Sequence, residues 1–239
     1  MTSAEEVIAA GKIIVLIAAG FVAGFSAVFA FNHIPTKWLC DYECEPTEEM
    51  WGKRIEERPW SLVFSLFFIG AGLIMREEGV LYLIPAIPAL WLLLIVAIAD
   101  CKFMIIPDQL VIGLAILSIG FIPCQKGLLS PLFGALAGGG SLLAIGLIAR
   151  FILKREAMGF GDVKLMGALG LIAGLKGTLI ILMLTIFSSG VVMGTMCLSG
   201  RVKKDDQLPL GPFIAASAGC YIIFRPLLLT AADWYIGLY

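Results

Sequence analysis

The chain alternates between long apolar runs and short polar connections. Because about 20 apolar residues in a helix cross a bilayer and a backbone in lipid must satisfy its own hydrogen bonds, runs of this kind favour membrane-spanning helices. The pattern predicts an all-α polytopic membrane protein with about eight spans, of which the sixth is unusually short. The runs are Val7–Phe31, Trp60–Met75, Leu81–Ala99, Gln109–Cys124, Leu132–Ile152, Val163–Leu175, Thr178–Ser199 and Leu210–Thr230.

The composition of the chain supports the membrane assignment. Of its 239 residues, 60% are hydrophobic and 15% are charged, whereas a soluble domain has about 45–50% apolar and about 25% charged residues. A water-soluble globule is therefore excluded. Because 17 basic residues face 18 acidic ones, the chain has no overall positive field to attract nucleic acid, and no nucleic-acid partner is expected.

Lysine and arginine residues are distributed unevenly over the polar connections. Eleven lie after the first, third, fifth and seventh runs, and three lie in the opposite set. Because short cytoplasmic loops are enriched in Lys and Arg, the first set is predicted to be cytoplasmic, with both termini outside. The eleven are Lys37, Lys53, Arg54, Arg58, Lys102, Arg150, Lys154, Arg155, Arg201, Lys203 and Lys204, and the three are Arg76, Lys126 and Lys176.

The longest polar stretch, residues 32–60, is shorter than a typical soluble domain. We therefore predict a single integral membrane domain over residues 1–239, with a short cytoplasmic loop at 32–60. Glu5 and Glu6 precede the first run in place of basic residues, so a cleaved secretory signal is not expected and the first run is expected to stay in the mature protein.

Pairs of glycines four positions apart occur in several runs. Such pairs let helix backbones approach closely in lipid, where packing replaces the hydrophobic effect. Close packing within one chain is the simpler interpretation, and a homodimer face is the alternative. The pairs are Gly20 and Gly24, Gly134 and Gly138, Gly170 and Gly174, and Gly190 and Gly194.

Three aspartates stand at the ends of apolar runs on the predicted cytoplasmic face: Asp100, Asp108 and Asp162. An ionisable group at the hydrocarbon boundary is costly, which makes each a candidate for a functional site. Asp108 follows Pro107 at a helix start, where the helix dipole favours a carboxylate, so helix capping or local structure explains it. Asp100 lies at a helix C-terminus, where the dipole is unfavourable, and its structural alternative is pairing with Lys102 or contact with the headgroups.

Asp162 follows a glycine-containing turn. Residues 157–165 read Ala-Met-Gly-Phe-Gly-Asp-Val-Lys-Leu, with Gly159 and Gly161 before the acid. Glycine permits positive φ and carries no Cβ, so the backbone can turn sharply and a substrate strand can approach Asp162. A simple N-cap role for Asp162 is the alternative, but capping alone does not require two glycines.

These residues together resemble the type 4 prepilin peptidases, a family of intramembrane aspartyl proteases marked by a Gly-x-Gly-Asp sequence. Three segments carry the resemblance, in the right order and on one predicted membrane face. Residues 99–108 hold an acid followed by a Pro-Asp pair, residues 159–164 read Gly-Phe-Gly-Asp-Val-Lys, and residues 208–213 read Leu-Pro-Leu-Gly-Pro-Phe. The resemblance implies an aspartic endopeptidase of the bacterial inner membrane.

The resemblance also implies roles for the acids. Asp100 and Asp162 match the two catalytic acids, and Asp108 matches the second acid of the first motif, which is not catalytic. Two carboxyl groups held close together cannot both ionise cheaply, so such a pair shares a proton. One carboxylate then takes a proton from water as general base, while the protonated partner polarises the scissile carbonyl group.

Three further residues match the family motif and are expected to shape the site: Gly159, Gly161 and Lys164. Lys164 either tunes the pair of acids electrostatically or extends to the headgroups. The lone His33 is explained by an interfacial turn at the end of the first run. No His-Glu-x-x-His zinc pattern occurs in the sequence.

By the same resemblance, the substrates are prepilins and pseudopilins, whose short basic leader precedes a Gly and a hydrophobic helix. Cleavage is expected after that Gly at the cytoplasmic membrane edge. We hypothesise that the acidic loop 37–58 helps to hold the basic leader, and a merely solvated loop is the alternative. Its seven acids are Asp41, Glu43, Glu45, Glu48, Glu49, Glu56 and Glu57, against the four bases Lys37, Lys53, Arg54 and Arg58.

Cysteine usage departs from the family pattern. Many members carry a larger loop with two Cys pairs that bind zinc, and they also methylate the new N-terminus. In this chain the loop holds only Cys40 and Cys44, and a closed structural zinc site needs four ligands. We therefore expect no zinc or other cofactor, and we do not predict N-methylation.

Two other functions compete with proteolysis. A small ion-coupled transporter would also use intramembrane carboxylates and broken helices, but Asp100 and Asp162 are predicted at one membrane face rather than at the midplane. A membrane scaffold without chemistry leaves the Gly-Phe-Gly-Asp turn unexplained.

Overall fold

The computed structural model describes residues 3–40, 50–125, 127–153, 158–200 and 208–237. These residues form helices and connections without any strand, which confirms the all-α prediction. The helices are α1 (Ser3–His33), α2 (Trp60–Ile74), α3 (Val80–Phe103), α4 (Asp108–Phe121), α5 (Ser130–Leu153), α6 (Phe160–Leu198), α7 (Gly211–Ile223) and α8 (Arg225–Tyr235).

Five helices within the described ranges are long and apolar enough to cross a membrane, and the number is six if α7 and α8 together count as one span. Helix α4 is shorter, although apolar. Each of the first five predicted runs overlaps one helix. The number of eight spans and the outside location of both termini stay predictions.

Contacts divide the chain into two compact units, Met1–Trp91 and Leu92–Tyr239, with the boundary inside α3. In the first unit, α1 packs closely on α2. A Cβ on Gly20 would lie 2.7 Å from the backbone nitrogen of Ile69, and a Cβ on Gly24 would overlap Ser65. The first of the predicted glycine pairs therefore serves packing within the chain, as the simpler interpretation holds.

The described part of the 32–60 loop is tied to the end of α1. Asn32 Oδ1 accepts hydrogen bonds from the backbone N–H groups of Arg54 and Ile55, both at 2.9 Å. The guanidinium of Arg54 is buried and donates to the carbonyl oxygens of Phe31 and Met50, both at 2.8 Å. Burial lowers the pKa of Arg54 from its ordinary value. Five of the seven acids assigned to leader binding fall in 41–49, outside the described residues.

In the second unit, α6 lies at the centre and packs against α4, α5 and α7. Proline and glycine set several helix starts in this unit. Pro107 is the N-cap of α4 in an extended conformation, and Pro212 and Pro226 lie in the first turns of α7 and α8, where a missing N–H is harmless. Helix α3 ends at Phe103, and Met104 directly after it has φ 54° and donates its N–H to the Asp100 carbonyl oxygen at 2.9 Å, an αL helix end.

Gly174 reverses the chain inside α6. Its φ of 67° and ψ of 179° are not helical, and glycine adopts positive φ without steric cost. A Cβ on Gly138 of α5 would lie 2.8 Å from the Met166 carbonyl oxygen and 2.9 Å from Thr178 Cγ2. Because twelve residues of straight helix span about 18 Å, Met166 and Thr178 can flank one point only if α6 folds back. The sixth and seventh runs are therefore separate helical segments, 160–173 and 175–198.

Side chains satisfy the carbonyl groups left open where the first segment of α6 ends. Gln125 Nε2 donates to the carbonyl oxygens of Leu171 at 2.8 Å and Ile172 at 2.9 Å, and the Tyr221 hydroxyl donates to that of Ala173 at 3.3 Å. An unsatisfied carbonyl in lipid costs several kcal/mol, so Gln125 and Tyr221 stabilise the break.

The last apolar run, Leu210–Thr230, is not one straight helix as the sequence pattern predicts. Helices α7 and α8 meet at an angle of 93° at Phe224, whose φ of −109° and ψ of 27° leave the helical region. Pro226 has no N–H to continue the helical hydrogen bonds of α7. The Lys176 ammonium, 2.7 Å from Asp233 Oδ1, then ties α8 to the second segment of α6.

Six of the eight paired glycines make close contacts within the chain. Gly134 and Gly170 touch each other's backbones, Gly138 contacts α6, and Gly174 contacts Ser130 and Gln125. A Cβ on Gly190 or Gly194, in contrast, would meet nothing within 4 Å among the described residues. Within those residues this last pair makes no close contact of the kind that the packing interpretation predicts, and a homodimer face stays its alternative.

Gly134→Val is expected to lower the midpoint of thermal unfolding in detergent, by a loss of about 1–3 kcal/mol typical of overpacking. The reason is that its Cβ would overlap Gly170 and come within 2.7 Å of the Gly174 carbonyl carbon. Gly140→Val, on the same helix, is the matched control because no described residue of another element lies within 4 Å of its Cβ. Equal midpoints for the two variants would contradict the close approach of α5 and α6.

Candidate functional site

The structure brings Asp100 and Asp162 together in the second unit. Asp100 lies in the last turn of α3, and Asp162 is the third residue of α6. The two residues are 6% and 8% exposed, and their carboxyl groups are close enough for their charges to interact. Two buried acids side by side are costly, so a structural role alone does not account for them.

Asp100 is anchored by the start of α7. Its Oδ2 accepts a hydrogen bond from the backbone N–H of Gly211 at 2.9 Å. A Cβ on Gly211 would lie 2.5 Å from that same oxygen, so only glycine lets the backbone come this near. The N-terminus of α7 also carries partial positive charge, and this offsets the unfavourable dipole of α3 at Asp100.

Asp162 is anchored on one side only. Its carboxyl group accepts a hydrogen bond from the backbone N–H of Gly159, the N-cap of α6, which is the reciprocal half of a capping box. Its Oδ1 is buried and has no hydrogen-bond partner among the described residues. Because a buried polar oxygen normally has a partner, Oδ1 is the oxygen available to act on a substrate group.

The two motif glycines play different parts, and neither uses the positive φ that glycine permits. Neither Gly159, with φ −69° and ψ 139°, nor Gly161 has positive φ. A Cβ on Gly161 would lie 3.1 Å from the Cβ of Ile106, whereas one on Gly159 would lie at an ordinary 3.4 Å from Asp162 Oδ2. The missing Cβ of Gly161 thus lets α6 begin close to the segment that follows α3.

Lys164 and Asp108 form an ion pair beside the acids. Lys164 Nζ is 2.9 Å from both carboxylate oxygens of Asp108, and it lies 5.0 Å from the ring centroid of Phe160. Asp108 is in the first turn of α4, as expected for an acid at a helix start, but its carboxylate binds Lys164 rather than capping the helix. Lys164 is therefore half-buried and paired, rather than extended to the headgroups.

Two contacts of the site did not follow from the sequence. Gly211 belongs to the third motif segment, but the sequence indicates no role for it, and it indicates none for Ile106. A glycine directly before a proline at the start of an apolar run is the signal that could have indicated a tight helix start at Gly211. Nothing in the sequence indicates that Ile106 packs on Gly161, because this contact joins distant parts of the chain.

The arrangement supports acid–base chemistry on a water molecule and a carbonyl group. Two adjacent carboxyl groups can hold one proton between them, so that one acts as base while the other acts as acid. No group of three or more His, Cys, Asp or Glu side chains suited to a metal occurs in the described ranges. Cys44, the second cysteine of the loop, lies outside those ranges.

Comparison with known proteins gives consistent matches. Residues 87–194 match the model of the type IV leader peptidase family. A protein of Bacillus subtilis named prepilin leader peptidase/N-methyltransferase is 30% identical over 161 residues, which cover 66% of this chain and 61% of that protein. Proteins of the same name from Pseudomonas aeruginosa and Legionella pneumophila are 34% and 31% identical over 133 and 160 residues, which cover 52% and 65% of this chain.

The chain spans only part of these relatives. The matched region covers 44% of the Pseudomonas aeruginosa protein and 54% of the Legionella pneumophila protein. No solved structure matches the chain. Both acids and the Gly-Phe-Gly-Asp turn fall inside the region that matches the family model, while Gly211 falls beyond it.

Proposed function

We propose that the chain is an intramembrane aspartic endopeptidase that removes the basic leader of type 4 prepilins or pseudopilins, because residues 87–194 match the model of the type IV leader peptidase family. The observation that carries the proposal is the buried pair Asp100 and Asp162, held at the end of α3 and the start of α6. Both lie at helix ends rather than in the middle of a span, so an ion-coupled transporter is not favoured.

The proposed reaction uses the two acids and one water molecule. The ionised carboxylate removes a proton from water as the water oxygen attacks the scissile carbonyl carbon, and the protonated carboxyl group donates to the carbonyl oxygen. The tetrahedral intermediate then collapses, the C–N bond breaks, and the amine nitrogen receives a proton as it leaves. The products are the leader with a new carboxyl group and the mature protein with a new amine, and no covalent enzyme intermediate forms.

The membrane-spanning helices and the bacterial relatives make this chain a multi-pass bacterial membrane protein. We propose that the acids face the cytoplasm, because the connections next to them carry the larger number of lysines and arginines. A prepilin leader on the cytoplasmic side would then meet Asp100 and Asp162 at the membrane edge.

The test of this function is cleavage of a purified prepilin by the full chain in nanodiscs, with mass spectrometry of both products. We expect one cut, directly after the Gly that ends the leader, and an unmethylated new N-terminus when a methyl donor is present. The control substrate replaces that Gly by Leu and should remain uncut. Absence of cleavage by a folded preparation, or cleavage of both substrates at scattered bonds, would refute the proposal.

The acidic loop gives a separate prediction about substrate binding. Glu48→Lys with Glu49→Lys should raise KM for a prepilin with a basic leader, with little change in kcat, because like charges would then meet. The increase should shrink at high salt, since exposed charges are screened beyond about 10 Å at 0.1 M. An unchanged KM at low salt would show that the loop is only solvated.

A further inference from the structure

We propose that Asp108 and Lys164 are positioning residues, which hold Asp162 in place against Asp100 without touching the substrate. This inference rests on the proposed function. It starts from the ion pair, in which Lys164 Nζ is 2.9 Å from both Asp108 oxygens while the two side chains are only 38% and 32% exposed. A half-buried pair with this geometry is screened less than an exposed one.

The pair joins the two parts of the chain that carry the acids. Only residues 104–107 separate the end of α3 from Asp108, and four residues of extended chain reach at most about 14 Å. The αL conformation at Met104 fixes the direction in which this short connection leaves the last turn of α3, which holds Asp100. On the other side, Lys164 follows Asp162 by two positions on α6.

A second contact lies at the same junction. The side chain of Ile106 packs where a Cβ of Gly161 would be, at 3.1 Å. The start of α6 is therefore held against the 104–108 connection both immediately before Asp162, through Gly161, and shortly after it, through Lys164. The contact between Ile106 and Gly161 sets how closely the two segments approach. The ion pair between Lys164 and Asp108 sets how far one segment is shifted along the other.

Positioning matters because a pair of acids must reach one water molecule and one carbonyl group at the same time. A displacement of about 1 Å can reduce an enzymatic rate about 100-fold. Neither Asp108 nor Lys164 is needed to contact substrate in this scheme, so loss of the pair should reduce kcat and leave KM nearly unchanged.

The first test compares Lys164→Met with Lys164→Arg in the prepilin cleavage assay. Methionine keeps much of the length of lysine but removes the charge, and we expect kcat to fall roughly 10- to 100-fold with KM within about 2-fold. Arginine can still pair with Asp108 and should retain most of the activity. A kcat for Lys164→Met within about 2-fold of wild type, or equal losses in the two variants, would overturn the proposal.

A charge reversal separates pairing from a direct electrostatic effect of Lys164 on the acids. Lys164→Glu alone should lose activity, and Asp108→Lys added to it should restore at least about 10-fold in kcat, because the two side chains can pair again in the opposite sense. Failure of the double variant to improve on the single one would overturn the proposal.

The chain offers a matched control at the start of the second segment of α6, just beyond the break at Gly174. Lys176 Nζ pairs with Asp233 Oδ1 at 2.7 Å, and the two side chains are 51% and 22% exposed. Lys176→Met removes a comparable ion pair that no part of the site touches, and kcat should stay at the wild-type value. If kcat of Lys176→Met fell as far as that of Lys164→Met, loss of either ion pair would lower kcat by destabilising the fold in general. That result would overturn the positioning role of Lys164.

A crosslinking measurement tests the junction without any substrate. Ile106→Cys and Gly161→Cys would place two Cβ atoms near disulfide distance, in a chain whose six native cysteines are replaced by serine. We expect rapid oxidative crosslinking, slowed several-fold by Lys164→Met and not by Lys176→Met. An unchanged rate overturns the positioning role even if wild type cleaves prepilin, whereas a slowed rate in a chain that cleaves nothing refutes the proposed function alone.

Discussion

Replacing either Asp100 or Asp162 by asparagine is expected to remove prepilin cleavage while the protein stays folded. Each acid supplies proton transfer that its amide cannot perform, and loss of general acid–base catalysis costs roughly 10²- to 10⁴-fold in kcat. Because the two acids act as one unit, the double variant should be no slower than either single variant. Product formation by mass spectrometry at saturating prepilin measures this directly.

Stability should move in the opposite direction to activity. Asp100 and Asp162 are both buried, and removing a costly buried charge often stabilises a fold. In Asp100→Asn, the side-chain oxygen can still accept from the Gly211 N–H, so the start of α7 stays anchored. We therefore expect thermal unfolding midpoints in detergent at or above the wild-type value.

An acid far from the site serves as the control for the asparagine series. Asp233→Asn removes the partner of Lys176 at the start of the second segment of α6, and it should cleave prepilin at the wild-type rate. Full activity of Asp100→Asn or Asp162→Asn would refute the catalytic pair. A large drop in their unfolding midpoints would instead show that the two acids serve the fold.

The sequence predicts Asp100 and Asp162 as site residues because a charge at the end of an apolar run is costly in any fold. The sequence predicts the helices around them for a similar reason, since a backbone in lipid must satisfy its own hydrogen bonds. Both inferences depend on local sequence and on the solvent. They required no knowledge of which helices are neighbours.

The break at Gly174 shows what local sequence cannot provide. The pattern predicts a gap between two runs at residues 176–177, close to Gly174, but the direction of the second run depends on a positive φ that no pattern reveals. The carbonyl groups at the break are satisfied by Gln125 and Tyr221, which are more than 40 positions away. For the 93° bend between α7 and α8, the sequence indicates a break in the helix, because Pro226 lies inside the predicted run, but it does not indicate the angle.

Asp108 and Lys164 illustrate a second limit. Taken alone, the sequence around Asp108 explains this acid by its place at the start of a helix. Taken alone, Lys164 either tunes the two acids electrostatically or extends to the lipid headgroups. The structure pairs them at 2.9 Å across 56 positions of sequence, which replaces two separate interpretations by one. Sequence reasoning assigns partners to polar residues only when they are close along the chain, and membrane bundles place many partners on different helices.

Outside the two acids, Gly211 is the position where we expect a substitution to reduce activity most, because its backbone N–H holds Asp100 in place. Gly211→Ala is expected to lower kcat at least about 100-fold, an effect on the scale of a 1 Å displacement of a catalytic group. An alanine Cβ would lie 2.5 Å from Asp100 Oδ2 and 2.9 Å from its Cγ, so either the carboxyl group or the start of α7 must move. Either movement breaks the hydrogen bond from the Gly211 N–H, and a bond to a charged group contributes about 1.5–3 kcal/mol.

Gly159→Ala is the informative comparison for Gly211→Ala, because the Gly159 Cβ would lie at an ordinary contact distance of 3.4 Å from Asp162 Oδ2. Its φ and ψ are also accessible to alanine. We therefore expect a loss of less than about 5-fold in kcat, far below the roughly 100-fold loss at Gly211. Equal activity of the two alanine variants would mean that Asp100 does not depend on the backbone of α7, and the catalytic role of Asp100 would then need another anchor.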